Sequence, residues 1–192
     1  FLQLDGDVNT KAVMTSNALT PAAGDWDGLY LNSSQPVSNL HIDYSINGLV
    51  LSKNNSNYRN LMVTNSSAFG VKGASQTNIR IQDSLFHHIA GIGITLGANA
   101  LIEDSQLNDV VDGIELITSA EVRRNVISNF SASGIKFRST TNAFIHHNLF
   151  LGGATGILTN GNTGQSVVEY NTFNNLSVAG INMGTSSTSL NI

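Results

Sequence analysis

Short apolar segments with alternating polar positions recur along the chain at a nearly constant spacing. Each repeat has a glycine followed by an apolar residue and usually a second apolar residue two positions later, as in Gly93-Ile94-Thr95-Leu96. The glycines of the eight repeats are Gly28, Gly48, Gly70, Gly93, Gly113, Gly134, Gly156 and Gly180. Successive glycines are 20, 22, 23, 20, 21, 22 and 24 residues apart. Alternation of period two is typical of β-strands, and a fixed repeat of this length is typical of stacked repeat architectures.

A second pattern lies inside each repeat. Ile81-Gln82-Asp83-Ser84 aligns with later segments that begin at Ile102, Val122, Ile145 and Val168. Each repeat therefore offers three short strands, and no apolar stripe of helical period has a useful length. One such coil cannot bury its own apolar face. Stacked coils can, because each inward side chain rests on its counterpart about 4.8 Å away in the next coil.

The stacking predicts three inward columns, one for each strand of the coil. The first strand provides Leu29, Leu49, Val71, Ile94, Ile114, Ile135, Ile157 and Ile181. The second provides Ile42, Val63, Ile81, Ile102, Val122, Ile145 and Val168. The third provides Phe86, Leu107, Ile127, Phe150 and Phe173.

A polar column is predicted at the bend between the second and third strands. Its members are Ser45, Ser66, Ser84, Ser105, Asn125, Asn148 and Asn171. An amide there can bond both the turn backbone and the equivalent residue one coil away, which satisfies a partly buried polar group. We interpret this column as a structural ladder.

These segments resemble the right-handed parallel β-helix superfamily, in the broad sense that includes pectate-lyase-like proteins and copper-protein-maturation-type repeats. The resemblance covers roughly residues 24–185. It implies an all-β, single-stranded, right-handed parallel β-helix of about seven to eight coils with three short parallel sheets. We expect one domain over 1–192, with lead-in coils at 1–27, regular coils at 28–185 and the start of a further coil at 186–192. The chain is expected to continue into further coils or domains.

The amino-acid composition excludes several classes of function. The net charge of −4 gives no general attraction to nucleic acids, and no apolar run is long enough to insert into a membrane. Cysteine is absent, which excludes disulfides and thiolate metal sites. The chain opens on a strand-like segment without an initiating Met, so we expect that a leader was removed or that upstream sequence was cut away. We predict a secreted or cell-surface protein of bacterial or phage origin.

The resemblance directs attention to the outer face of the first strands, where enzymes of the superfamily hold polysaccharides. The outward residues there are Tyr30, Val50, Lys72, Thr95, Glu115, Lys136, Leu158 and Asn182, with Arg138 beside Lys136. The candidate catalytic residues are Lys72, Glu115, Lys136 and Arg138, since a Lys or Arg can neutralise a uronic carboxylate and help to remove a proton. The favoured interpretation is an exposed ion pair between Glu115 and Lys136, which are adjacent across coils.

A second outward cluster follows the second strands. It contains Gln82, Glu103, Arg123, His146 and Glu169, flanked by Asp83, Asp104, Arg124, His147 and Tyr170. These residues could form an acid/base site, but alternating charges on successive coils also stabilise a sheet, and we favour that structural interpretation. The candidate glycan contacts are Arg123 and His146 here, and Trp26 and Tyr30 in the early coils. Trp26 could instead cap the core of the first coil, which is the favoured interpretation.

Two pairs of adjacent histidines, His87-His88 and His146-His147, are candidate metal ligands. The pairs lie about three coils apart and at different bends, so they cannot share one ion. Adjacent residues on a strand also point to opposite faces, so neither pair is expected to chelate. We therefore predict no metal site and no cofactor.

Two functions remain. The first is a noncatalytic extracellular module that is structural, adhesive or in contact with polysaccharides or cell-surface glycans. The alternative is the core of a lyase or epimerase that acts on an acidic polysaccharide. Enzymatic β-helices build groove walls from long insertions, and the regular spacing of 20 to 24 residues leaves no room for them. The noncatalytic function is favoured.

Overall fold

The computed structural model describes residues 10–139, 142–160, 164–184 and 190–192. The predicted lead-in coils and the predicted further coil therefore lie partly outside the described residues. Within these ranges the chain forms β-strands and no helix. The strands are β1 (Ala12–Met14), β2 (Leu29–Leu31), β3 (Val37–Ser38), β4 (Leu40–Asp43), β5 (Leu49–Leu51), β6 (Asn57–Arg59), β7 (Met62–Ser66), β8 (Phe69–Gly73), β9 (Arg80–Gln82), β10 (Leu85–Leu96), β11 (Ala100–Glu103), β12 (Gln106–Leu116), β13 (Ala120–Arg123), β14 (Val126–Phe137), β15 (Ala143–His146), β16 (Leu149–Thr159), β17 (Ser166–Glu169), β18 (Thr172–Met183) and β19 (Leu190–Asn191).

The strands form a right-handed parallel β-helix of about seven turns, which confirms the predicted fold class. Each coil has three faces. Face 1 carries the Gly-Ile-x-Leu segments, as in the second half of β10 and β12. Face 2 is the eight-stranded sheet in the order β19-β17-β15-β13-β11-β9-β6-β3. Face 3 carries the first halves of the long strands, so that face 3 and face 1 belong to one sheet that bends at a corner.

The predicted inward column of face 1 is confirmed at all eight positions. Leu29 pairs with Leu49, Leu49 with Val71, and Val71 with Ile94, and the same register continues through Ile114, Ile135 and Ile157 to Ile181. Four successive isoleucines of this column, from Ile94 to Ile157, have no exposed surface. Burial of such side chains is the main contribution to the stability of the rod.

The predicted second column is wrong at its first two positions. Ile42 and Val63 pair with each other and then with Phe86, so they belong to face 3. Tyr58, which is fully buried, precedes Ile81 on face 2. The early face-2 strands are short and lack the Ile-x-Asp-Ser pattern. Because the column was assigned from apolar residues alone, strands of face 3 were placed on face 2 in these coils.

Ser45 and Ser66 are also misplaced in the predicted polar column. Their hydroxyl groups bond each other at 2.9 Å, and Ser66 pairs with Ile89 at the end of face 3. The residue that precedes Ser84 in its own column is Leu61, whose backbone N–H donates to the Ser84 hydroxyl. The two serines therefore line the corner between face 3 and face 1.

Residues with a left-handed backbone turn the chain at two corners of most coils. Those between face 2 and face 3 are Asn39, Asn60, Asp83, Asp104, Arg124, His147 and Tyr170, with φ from 49° to 56°. Those between face 3 and face 1 are Tyr44, Asn65, His88, Asp109, Asn129, Gly152 and Asn175. Asn and Asp tolerate this conformation best, whereas Arg, His and Tyr adopt it here because the stacked coils impose the corner.

The glycine column lies where neighbouring coils approach most closely. A Cβ atom added at Gly93 would lie 2.6 Å from the carbonyl oxygen of Gly113 and 2.8 Å from the Leu107 side chain. Both neighbours are part of the packed core and cannot withdraw. At Gly180, in contrast, the nearest atoms would lie 3.4 Å away, an ordinary van der Waals contact.

We expect Gly93→Ala to lower the free energy of unfolding by about 1–3 kcal/mol, because the added methyl group overpacks the contact between coils. The matched control is Gly180→Ala, which is expected to change stability by no more than about 0.5 kcal/mol. Urea denaturation followed by circular dichroism measures both variants. Equal unfolding midpoints for the two would contradict the close-approach argument.

Candidate functional site

Two outward columns run along face 2 and carry most of its chemistry. The register of face 2 places Arg80, Leu101, Glu121, Phe144 and Val167 in one column. It places Gln82, Glu103, Arg123, His146 and Glu169 in the other. The second column is the one that the sequence predicted.

Glu103 is the centre of an ion-pair network in this cluster. Its side chain is buried, and its carboxylate accepts hydrogen bonds from Gln82 at 2.6 Å, from Arg123 at 2.7 Å and from Arg124 at 2.6 Å. Burial raises the pKa of Glu103, but the hydrogen bond and charge of Arg123 and the hydrogen bonds from Arg124 and Gln82 outweigh it, so the pKa lies below its usual value. Arg124 also binds both carboxylate oxygens of Asp104.

Arg123, a predicted glycan contact, is held inside this network. One terminal nitrogen lies 2.7 Å from Glu103 and the other donates to Glu121 at 2.7 Å. Its side chain is only 28% exposed. The Arg123 guanidinium therefore forms ion pairs within the protein, including one to the neighbouring coil. Only its exposed edge can contact a ligand.

A groove of about 370 Å³ lies beside the network. Its floor includes Leu101, Glu121, Phe144 and Val167 on face 2, and its polar wall is formed by the corner residues Asn99, Ser119, Asn142 and Gln165. Phe144 is 38% exposed and stacks on His146, with ring centroids 4.0 Å apart. The sequence analysis did not select Phe144. An aromatic residue at an outward position of the alternating strand pattern was the signal that could have identified it.

His146 and His147 lie side by side, which corrects the expectation that adjacent histidines point to opposite faces. Their Nδ1 atoms are 2.8 Å apart. His147 has a left-handed φ of 56°, and this corner conformation removes the normal alternation of a strand. The same reason applies to His87 and His88, whose ring centroids are 3.6 Å apart and whose second member has φ 54°.

Three of the predicted catalytic residues, Lys72, Glu115 and Lys136, share one outward column of face 1, and Arg138 lies two residues beyond Lys136. The ion pairs differ from the expectation. Lys136 contacts Asp112 at 3.2 Å rather than Glu115. Glu115 is buried, not exposed, and lies 3.7 Å from Arg138 and 3.2 Å from the Thr95 hydroxyl. Lys136 reaches the corner because Asp112 is buried there, where Ser133 also binds it through its hydroxyl and backbone N–H groups.

Three of the predicted residues have their contacts outside these clusters, namely Lys72, Tyr30 and Trp26. The Lys72 ammonium lies over the Phe69 ring, 4.8 Å from its centroid. Tyr30 is exposed and donates its hydroxyl hydrogen to Asp27 at 2.6 Å. Trp26 is partly buried against the core, and its indole N–H donates to the Asp43 carbonyl at 2.8 Å.

The five residues Ser84, Ser105, Asn125, Asn148 and Asn171 lie in one column between face 2 and face 3. Backbone N–H groups donate to the side chain of the next coil: Ser105 to Asn125 at 3.0 Å, Asn125 to Asn148 at 3.0 Å and Asn148 to Asn171 at 2.9 Å. The Asn148 amide also donates to the Val122 carbonyl at 2.9 Å. The geometry is that of a hydrogen-bonded ladder.

Across the ranges that the structure describes, no three His, Cys, Asp or Glu side chains converge as a metal-holding group. The described part also contains no helix long and apolar enough to cross a membrane.

The chain matches the model of a known protein family. The model of a family described as "Periplasmic copper-binding protein (NosD)" matches residues 6–191, nearly the whole chain. This family has a right-handed parallel β-helix fold, which agrees with the resemblance drawn from the repeats. Its periplasmic description agrees, at a coarse level, with the predicted location outside the cytoplasm. No curated protein matches the chain.

The Glu103 network generates a prediction for acid stability. Because the folded-state pKa of Glu103 lies below that of the unfolded chain, its stabilisation is present above the usual Glu pKa of about 4.3 and is lost as the pH falls through the folded-state value. Glu103→Gln should therefore lower stability at pH 7 by about 1–3 kcal/mol and flatten the decline toward pH 3. Arg124→Gln should flatten it too. Thermal unfolding across this pH range measures the effect, and parallel profiles for wild type and both variants would refute it.

Proposed function

We propose that this chain, which belongs to the NosD family of periplasmic copper-binding proteins, is a noncatalytic extracytoplasmic module that binds a neutral glycan in the groove of face 2. The rod supplies a rigid surface, and the groove supplies the contacts. The observation that carries the proposal is the exposed Phe144 ring beside a wall of amide and hydroxyl side chains.

The composition of the groove favours a sugar over other ligands. An aromatic ring offers an apolar face to the C–H groups of a sugar ring. Amide and hydroxyl side chains can both donate and accept hydrogen bonds, as sugar hydroxyls require. His146 stacks on Phe144 and limits the rotation of its ring. Less side-chain entropy is therefore lost when a ligand binds.

The polar wall repeats from coil to coil, which favours a polymer that lies along the helix axis. Asn99, Ser119, Asn142 and Gln165 come from four successive coils. Their spacing of about 4.8 Å offers one hydrogen-bonding side chain for each coil that the ligand crosses. A chain-like ligand can use several of them at once, and a small molecule cannot.

The charge distribution favours a neutral glycan over an acidic one. The net charge is −4, and the ionised group in the groove is the carboxylate of Glu121. Arg123 and Arg124 are already paired with Glu103, Glu121 and Asp104. A polyanion would therefore meet the Glu121 carboxylate and no Lys or Arg among the residues that line the groove.

The face-1 cluster supports a noncatalytic function. A general base must reach the substrate proton within hydrogen-bond distance and accept it. Lys136 is bound by the Asp112 carboxylate, and Arg138 lies close to Glu115. Both cations thus have internal partners in the described structure, and the regular coils provide no long loops to enclose a substrate beside them.

Copper binding is the second candidate function, because the family description names copper. Imidazole is a suitable copper ligand, and a copper centre enclosed by the protein would require more donors than the described residues bring together. His146 and His147 are the residues that would hold the ion. Copper bound there would be an exchangeable ligand of the module.

We expect the wild-type protein to bind neutral oligosaccharides in a glycan array and in calorimetry, and Phe144→Ala to weaken this binding about tenfold, equivalent to about 1.4 kcal/mol. The control is Tyr170→Ala, because Tyr170 is also an exposed aromatic residue but does not line the groove. If no neutral glycan binds, or if both variants lose affinity equally, the groove is not the binding site.

Alginate, pectate and chondroitin provide the test of the noncatalytic assignment. The wild-type protein is expected to release no unsaturated products from them, as measured by ultraviolet absorbance. Turnover that disappears in Lys136→Ala would establish the lyase function instead.

A further inference from the structure

We propose that His146 and His147 form a surface site for one transition-metal ion, with Cu(II) preferred, in which the two Nδ1 atoms are the protein ligands. The proposal develops the second candidate function and does not depend on glycan binding. It rests on four features of the pair: the separation of the nitrogens, the hydrogen bond that orients His146, the ring contacts on either side, and the contrast with His87 and His88.

The separation of the ring nitrogens is suited to chelation. The Nδ1 atoms of His146 and His147 lie 2.8 Å apart. Two ligand nitrogens that each lie about 2.0 Å from a metal and subtend a right angle are separated by about this distance. A right angle between neighbouring ligands is the geometry of square-planar Cu(II) and Ni(II) sites. The separation of the nitrogens therefore meets this requirement, and each ring has to turn from its partner toward the ion so that both lone pairs point at it.

Glu121 sets the tautomer of His146. The Nε2 atom of His146 lies 3.1 Å from a carboxylate oxygen of Glu121. A carboxylate accepts hydrogen bonds, so Nε2 carries the proton and Nδ1 presents its lone pair. Histidines that bind metals usually donate their second ring N–H to such a carboxylate. Arg123 in turn holds Glu121 at 2.7 Å, which completes the outer shell of a metal ligand.

In the metal-free pair, one proton lies between the two Nδ1 atoms. Since His146 Nδ1 accepts, the hydrogen bond between the rings is donated by His147 Nδ1. Metal binding replaces this proton, which moves to the Nε2 atom of His147. The step is a change of tautomer and needs no oxidant, reductant or further reactant.

Aromatic neighbours hold both rings in place. Phe144 stacks on His146 with centroids 4.0 Å apart, and Tyr170 stacks on His147 with centroids 5.2 Å apart. The His146 side chain is 12% exposed, whereas His147 is exposed. An ion can thus enter from solvent, and water can fill its remaining positions. Among divalent first-row metals, nitrogen ligands bind Cu(II) most tightly.

His87 and His88 provide an internal comparison. They also follow each other at a left-handed corner, but their nitrogens have other partners. His87 Nδ1 lies 2.9 Å from the Asn108 amide, and His88 Nε2 lies 3.1 Å from Asp109. The structure shows no hydrogen bond between these two rings, so the second pair serves as the matched control for the first.

The experiment is a titration of the metal-free full chain with Cu(II), followed by calorimetry and by electron paramagnetic resonance. We expect one ion per chain and nitrogen couplings from two imidazoles. His147→Asn should weaken binding at least tenfold while it preserves the corner, because Asn adopts the left-handed conformation readily. His88→Asn should leave both the affinity and the spectrum unchanged.

Glu121 acts as a positioning residue and has its own expected result. Glu121→Gln should lower the Cu(II) affinity by about 10-fold or more, and Glu121→Asp should restore part of it. The proposal is overturned if Cu(II) does not bind stoichiometrically, if His147→Asn retains wild-type affinity, or if His88→Asn loses as much. Glycan binding by His147→Asn, measured in parallel, separates failure of this site from failure of the groove.

Discussion

The separation of neighbouring coils, about 4.8 Å, constrains every other feature of this molecule. At this separation the strands of one coil bond to those of the next, and each inward side chain touches its equivalents above and below. A continuous core results, in which isoleucines such as Ile114 and Ile135 are completely buried. The same separation excludes a side chain at Gly93, because the carbonyl oxygen of the next coil occupies the space. Packing and backbone pairing therefore impose one geometry together.

The constraint acts equally on the outer surface. Residues about 20 positions apart in sequence become direct neighbours, so charges must be balanced between coils rather than along the chain. Glu103 contacts Arg123 and Arg124 from the next coil, and Lys136 reaches back to Asp112. Such ion pairs hold adjacent coils together. On face 1, the pair with Asp112 also occupies the Lys136 ammonium that a catalytic interpretation would need. The groove of face 2 remains because its corner wall carries amides and hydroxyls rather than charges.

Predictions from sequence succeeded where the repeat was regular and failed where it was not. The eight glycines predicted the whole inward column of face 1, since one residue type marked the same position in every coil. Ile42 and Val63 were assigned to the wrong face because apolar identity alone does not distinguish face 2 from face 3 in the short early coils. The corners were also missed, although Asn60, Asp83 and Asp104 recur at the repeat spacing. Alignment of that column would have indicated that His147 turns with a left-handed backbone.

The left-handed corner explains how a regular scaffold can carry individual chemistry. Alternation along a strand separates adjacent side chains, whereas the corner at His147 brings two imidazoles together. The stack of Phe144 on His146 then joins this pair to the wall of the groove. A ligand that moves Phe144 would also act on the ring that presents Nδ1, and thermodynamic linkage requires a bound ion to act on the ligand by the same factor. The two candidate functions of face 2 thus share one aromatic contact, through which each can alter the affinity of the other.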